Sequence, residues 1–122
     1  MVIQSLNKAR RKMGDKMDEE YIVDSETIAK EFFEKQGYTV LNINERGFPD
    51  LIVLKGKEIQ FLVEVKGGDS FLPYIQREYH GKLLANYGFI TKLVRVKDKE
   101  VVIEEEQTWP WPKDALEKRE EG

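Results

Sequence analysis

Two apolar runs, Leu51-Ile52-Val53-Leu54 and Ile59-Gln60-Phe61-Leu62-Val63, flank the short polar stretch Lys55-Gly56-Lys57-Glu58, and this arrangement constrains the chain more than any other feature. Both runs are rich in β-branched and aromatic residues, so both read as buried strands. The glycine-bearing link has the length of a hairpin turn. Charge brackets the pair: Pro49-Asp50 enters the first run and Glu64-Val65-Lys66 leaves the second, with the two acids fourteen positions apart. Closing the hairpin brings these outer ends together. Alternation along a strand then points Glu64 and Lys66 to one face and Val65 to the other.

Two carboxylates and a lysine at one end of a sheet can support phosphodiester chemistry. Asp50 and Glu64 offer hard anionic oxygens suited to Mg²⁺ or Mn²⁺, and the carbonyl of Val65 can add another. Such an ion polarises a phosphodiester and lowers the pKa of water, while Lys66 can orient that water or offset charge growing on the phosphorane. Ordinary surface chemistry competes with this reading, because charged residues make up 35% of the sequence and Glu-x-Lys pairs on edge strands serve solubility. Hydrophobic patterning, however, gives no reason for an acid and a lysine at the ends of strongly apolar strands. Catalysis does.

By Pro49-Asp50 and Glu64-Val65-Lys66, in this order and at this spacing, the chain resembles the PD-(D/E)XK nuclease superfamily. The resemblance implies an α/β restriction-endonuclease-like core, a central mixed β-sheet flanked by helices, over about residues 24 to 103. The stretch from Ser25 to Tyr38 is similar to the first helix of archaeal-type Holliday junction resolvases, where an early glutamate joins the metal site. The matching position is Glu26, with Glu31 as the competing carboxylate. Further on, Lys66, a polar loop and then Gln76 ahead of Tyr79 or His80 resemble the virus-type replication-repair branch. There the glutamine assists the metal-water network or contacts nucleic acid. The resemblance thus implies Asp50, Glu64, Lys66 and Gln76 as catalytic residues and Glu26, Asp50, Glu64 and Val65 as metal ligands. It also implies Mg²⁺ or Mn²⁺ as cofactor and DNA, foremost branched DNA, as substrate. A homodimer follows from the substrate, since symmetric cuts need symmetric subunits. The competing functions are a non-catalytic nucleic-acid-binding or assembly module on the same fold, and an RNA-directed nuclease that requires 2′-hydroxyls.

The remaining segments fit around this core. Asp24 or Ser25 caps a first helix with an apolar stripe of Ile28, Phe32 and Phe33, and Gly37 suits its C-terminal end. Tyr38 to Ile43 reads as a strand, and Asn44 to Phe48 as the loop delivering Asp50, with Arg46 placed to meet a phosphate or simply to turn the chain. A second helix ends at Gly88, its core face read from Ile75, Tyr79, Leu83 and Tyr87. His80, the single histidine, reads as a solvated helix residue. Phe89 to Val96 and Val101 to Ile103 form two later strands around Lys97-Asp98-Lys99-Glu100. The order is α, three strands, α, two strands.

Length and charge bound the rest. The 122 residues make one domain, divided into a basic arm at 1–23, the nuclease core at 24–105, and a Trp/Pro strap with a charged tail at 106–122. The absence of cysteine excludes disulfides, structural zinc and iron–sulfur clusters. No signal-peptide or membrane-spanning run is present, so a soluble cytoplasmic protein is expected. The net charge of −3 disfavours a nucleic-acid binder, but Lys8, Arg10, Arg11 and Lys12 are concentrated at the start. They form either an arm tracking a DNA backbone or a solvated leader. Trp109-Pro110-Trp111-Pro112 cannot form helix or central strand. It reads as a strap covering the domain's own core, with a dimer contact or a base-stacking platform as alternatives.

Overall fold

The computed structural model describes residues 24–110. Lys8, Arg10, Arg11, Lys12, Trp111 and the charged tail lie outside the described residues. Within them run α1 (Ser25–Glu34), β1 (Thr39–Asn42), β2 (Leu51–Lys55), β3 (Glu58–Gly67), α2 (Tyr74–Tyr87), β4 (Thr91–Lys97) and β5 (Glu100–Glu105). The five strands form one sheet in sequential order. Neighbours are antiparallel except β3 and β4, which run parallel. A parallel pair needs a long crossover, and α2 supplies it.

α1 begins where Asp24 caps it, its Oδ1 accepting from the Thr27 amide at 2.8 Å. Ala29 and Phe33, one turn apart, are buried against Val63, Val65, Val94 and Val96 of the central strands. Ile28 and Phe32 pack at the edge of the same cluster. Apolar residues that alternate along β3 and β4 therefore meet the helix stripe, and this burial fixes the face on which Val65 must lie.

The β2–β3 hairpin turns at Gly56, whose φ of 64° is a conformation that side-chain-bearing residues rarely adopt. The first half of β3 is more exposed than the apolar run predicts, with Ile59 at 38%. The reason is pairing: β4 covers β3 only from Leu62 to Gly67, so the turn end projects beyond the sheet's centre.

The predicted core stripe of α2 is corrected. Leu83 is buried, but Ile75, Tyr79 and Tyr87 are 65%, 49% and 67% exposed. The buried positions are Arg77, His80 and Leu83. A row repeating every four residues drifts around a helix of 3.6 residues per turn. Glu64 of β3 and Glu105 of β5, moreover, meet His80 and Arg77 of α2, so polar side chains face the sheet. The helix stops at Gly88 in the left-handed conformation, φ 76°.

Candidate active site

Asp50 lies just before β2, held by backbone bonds on both sides: its amide donates to the Val63 carbonyl at 2.9 Å and its carbonyl accepts from the Ile43 amide at 2.8 Å. The second bond closes the loop 44–49 and delivers the carboxylate to the end of β3. There Asp50 Oδ2 accepts from the Val65 amide at 2.8 Å. Register places Leu51 opposite Val63, which sets Asp50 beside Glu64. The hairpin therefore brings Asp50, Glu64, Val65 and Lys66 together.

Glu64 is only 3% exposed. Its Oε2 lies 3.9 Å from Lys66 Nζ, and its Oε1 lies 3.2 Å from His80 Nε2. Glu26, in the first turn of α1, accepts from Asn42 Nδ2 at 3.4 Å through Oε1 and interacts with both Asp50 and Glu64. Its rival Glu31 is exposed and lines a separate groove with Lys35 and Gln36.

Crowding of carboxylates shows in their proton affinities. Burial and the neighbouring Glu64 carboxylate push Asp50 up to about 7, against the opposing bond from the Val65 amide. Glu26 is also raised, first by burial and then by Asp24.

Two further expectations resolve differently. Gln76 lies one turn before His80 on α2, and its Oε1 is buried with no hydrogen-bond partner among the described residues. Arg46 is exposed on the turn after β1. Gly47 beside it sits over Tyr79, whose ring lies 3.6 Å from where a Cβ would be. Tyr79 thus supports the loop that carries Asp50 instead of filling the core.

The burial of His80 is what the sequence did not show. The residue is 2% exposed, not solvated. Its Nε2 faces Glu64, and its Nδ1 lies 2.7 Å from the Thr108 hydroxyl, also fully buried. The only sequence signal was its place four residues after Gln76, which puts both on one helix face.

The donor chemistry fits a hard dication. Among the described residues no three His, Cys, Asp or Glu side chains form a ready cage. Asp50, Glu64 and the Val65 carbonyl are oxygen donors, and Mg²⁺ commonly takes one or two carboxylates while keeping several waters. Asp50, raised to about 7 by burial and by the Glu64 carboxylate, is a position that a cation would relieve, and the unpartnered Gln76 oxygen offers a place for water.

No family model and no curated protein matches the sequence. The fold does have a match. Superposed on Hjc, a Holliday junction resolvase from the archaeal hyperthermophile Archaeoglobus fulgidus, the structure gives a TM-score of 0.52 at 15% identity, covering 62% of this chain and 64% of the resolvase. The two chains share a fold. It is the restriction-endonuclease-like α/β fold, here a mixed five-stranded sheet flanked by two helices. The match spans a little under two thirds of the resolvase's length. A shared fold does not carry activity by itself, so the chemistry rests on the carboxylates and the lysine.

Proposed function

We propose that the protein is a divalent-metal-dependent endonuclease acting on branched DNA. The observation that carries this reading is the convergence of Asp50 and Glu64, with Lys66 beside them, at one end of two adjacent strands. The resolvase fold supports the choice of substrate. Asp50, Glu64 and the Val65 carbonyl would hold Mg²⁺ or Mn²⁺, with Glu26 as a further ligand. When bound, the ion polarises the scissile phosphate and lowers the pKa of water. Lys66 orients the attacking water or offsets charge as the phosphorane forms, and Gln76 accepts from a water at its unpartnered oxygen.

Binding must overcome the chain's net charge of −3. Arg46, exposed on its turn, and the basic residues Lys8, Arg10, Arg11 and Lys12 supply phosphate contacts. Two sites facing a four-way junction come from a C2 homodimer. No helix among the described residues is long and apolar enough to cross a membrane, and a soluble protein acting on intracellular DNA is the matching location.

The test is cleavage of labelled four-way junction, flap, linear duplex and single-stranded DNA with Mg²⁺ or Mn²⁺, together with sedimentation at micromolar concentration. Paired symmetric cuts in the junction by a dimer are expected. Cutting confined to other DNA rejects the junction substrate, and a strict monomer rejects paired cutting. Metal-independent binding without any cleavage leaves a nucleic-acid-binding module, and cleavage of RNA alone reassigns the substrate.

A further inference from the structure

We propose that Thr108 acts as a positioning residue for Glu64, through His80, and so makes the segment after β5 part of the catalytic site. The inference rests on the nuclease reading above.

A continuous buried chain of polar contacts links the two. Glu64, His80 and Thr108 are 3%, 2% and 0% exposed. Glu64 Oε1 lies 3.2 Å from His80 Nε2, and His80 Nδ1 lies 2.7 Å from Thr108 Oγ1. A carboxylate oxygen can only accept, so Nε2 presents its proton to Glu64. The hydroxyl, which can donate or accept, completes the opposite side of the ring whichever role Nδ1 takes. With both ring nitrogens engaged the imidazole has one orientation, and the carboxylate it meets has one rotamer. Partners behind a metal ligand commonly act in this way.

Thr108 is itself anchored more firmly than a chain-terminal strap requires. Its amide donates to the Thr91 carbonyl at 2.9 Å, and its carbonyl accepts from Arg77 Nη1 at 3.0 Å. Arg77 also grips Glu105 with two bonds of 2.8 and 2.7 Å, tying the end of β5 to α2. The next residue, Trp109, closes against Gly81, where an added Cβ would come within 2.8 Å of the indole. Three anchors thus fix the hydroxyl beneath His80. Packing alone does not call for this arrangement, since an apolar pair at 80 and 108 would fill the same volume without a desolvated hydroxyl and imidazole.

The test compares wild type with Thr108→Val, which keeps the shape and removes the hydroxyl, and Thr108→Ser, which keeps the hydroxyl. Thr108→Cys replaces the valine variant should the latter fail to fold. Mn²⁺ affinity is read by calorimetry without DNA, and kcat and KM are read separately on a four-way junction. His80 is the single histidine in the chain, so its ring N–H resonance needs no assignment. Thr108→Val is expected to lose about ten- to hundredfold in Mn²⁺ affinity or kcat with KM for DNA unchanged, and to broaden the ring N–H signal. Thr108→Ser is expected to restore all three. Wild-type metal affinity and kcat in a folded Thr108→Val would overturn the positioning role while leaving the nuclease standing. A wild type that neither binds Mn²⁺ nor cuts DNA would overturn both.

Discussion

Asp50 carries two opposite demands. Burial and Glu64 hold its carboxyl up near 7, whereas a metal ligand must be ionised. A carboxyl whose folded pKa lies above its ordinary value of 3.8 adds stability that is complete below that ordinary value and is lost as pH rises through the folded one. The metal-free protein is therefore expected to melt at progressively lower temperature between about pH 4 and pH 7. Asp50→Asn should remove much of that decline, and identical profiles for the two proteins in a chelating buffer would contradict the raised Asp50 carboxyl. Glu26, raised in the same direction, adds to the slope. If Asp50 is the proposed metal ligand, it must lose its proton on binding, so calorimetry with Mn²⁺ at pH 6 in buffers of different ionisation enthalpy should show proton release that Asp50→Asn abolishes. Lys66 makes a different kind of contribution. At 3.9 Å from Glu64 Oε2 it adds little to a folded pair, and Lys66→Ala should leave the melting temperature nearly unchanged while lowering kcat by about 10²–10³-fold. Equal losses in stability and kcat would make it a structural lysine.

Among the elements, α2 is the one whose chemistry departs from its pattern. Its sheet-facing side carries Arg77 and His80 with Leu83, and its aromatic and aliphatic residues point outward. Gly81 lets Trp109 close against it, and Gly81→Ala forces the indole away from a 2.8 Å approach. The overpacking costs about 1–3 kcal/mol, against the roughly 1 kcal/mol that alanine adds to a helix interior. A lower melting temperature is expected, together with non-additivity in the double variant Gly81→Ala/Trp109→Ala. Stabilisation by Gly81→Ala would mean the indole is not seated there. The contrast with the hairpin explains what the sequence made legible. Asp50, Glu64 and Lys66 were readable because a short turn and strand alternation are local rules, and the two apolar runs leave little choice of register. The start of α1 at Asp24 or Ser25 and the stop of α2 at Gly88 were readable for the same reason, and the structure puts the first cap at Asp24. His80 and Thr108 were not, because twenty-eight positions separate them and their pairing exists only after β4 and β5 have placed the strap under α2. Periodicity also misdirected α2, since it assumes that the buried side of a helix is the apolar one, and here a buried carboxylate lies opposite.

For the molecule as a whole, the proposed DNA binding turns on charge. A chain of net charge −3 needs its cations concentrated, and Lys8, Arg10, Arg11 and Lys12 are the densest group. Each phosphate contact contributes about −0.9 to the slope of log affinity against log salt on duplex DNA. If these four residues track the backbone, their replacement by alanine should flatten the slope by about 3–4 units without changing the position of the cuts. An unaltered slope would make the arm a solvated leader. The central proposal is hydrolysis by Asp50, Glu64 and Lys66, which meet at the sheet's end. The measurement to make is single-turnover cleavage of a four-way junction in Mn²⁺ by wild type, Asp50→Asn, Glu64→Gln and Lys66→Ala, each first shown to be folded and to bind the junction. Paired cuts by wild type and loss of cutting in all three variants with binding retained are expected. Undiminished cutting by Asp50→Asn, or no metal-dependent cutting by wild type, would contradict it.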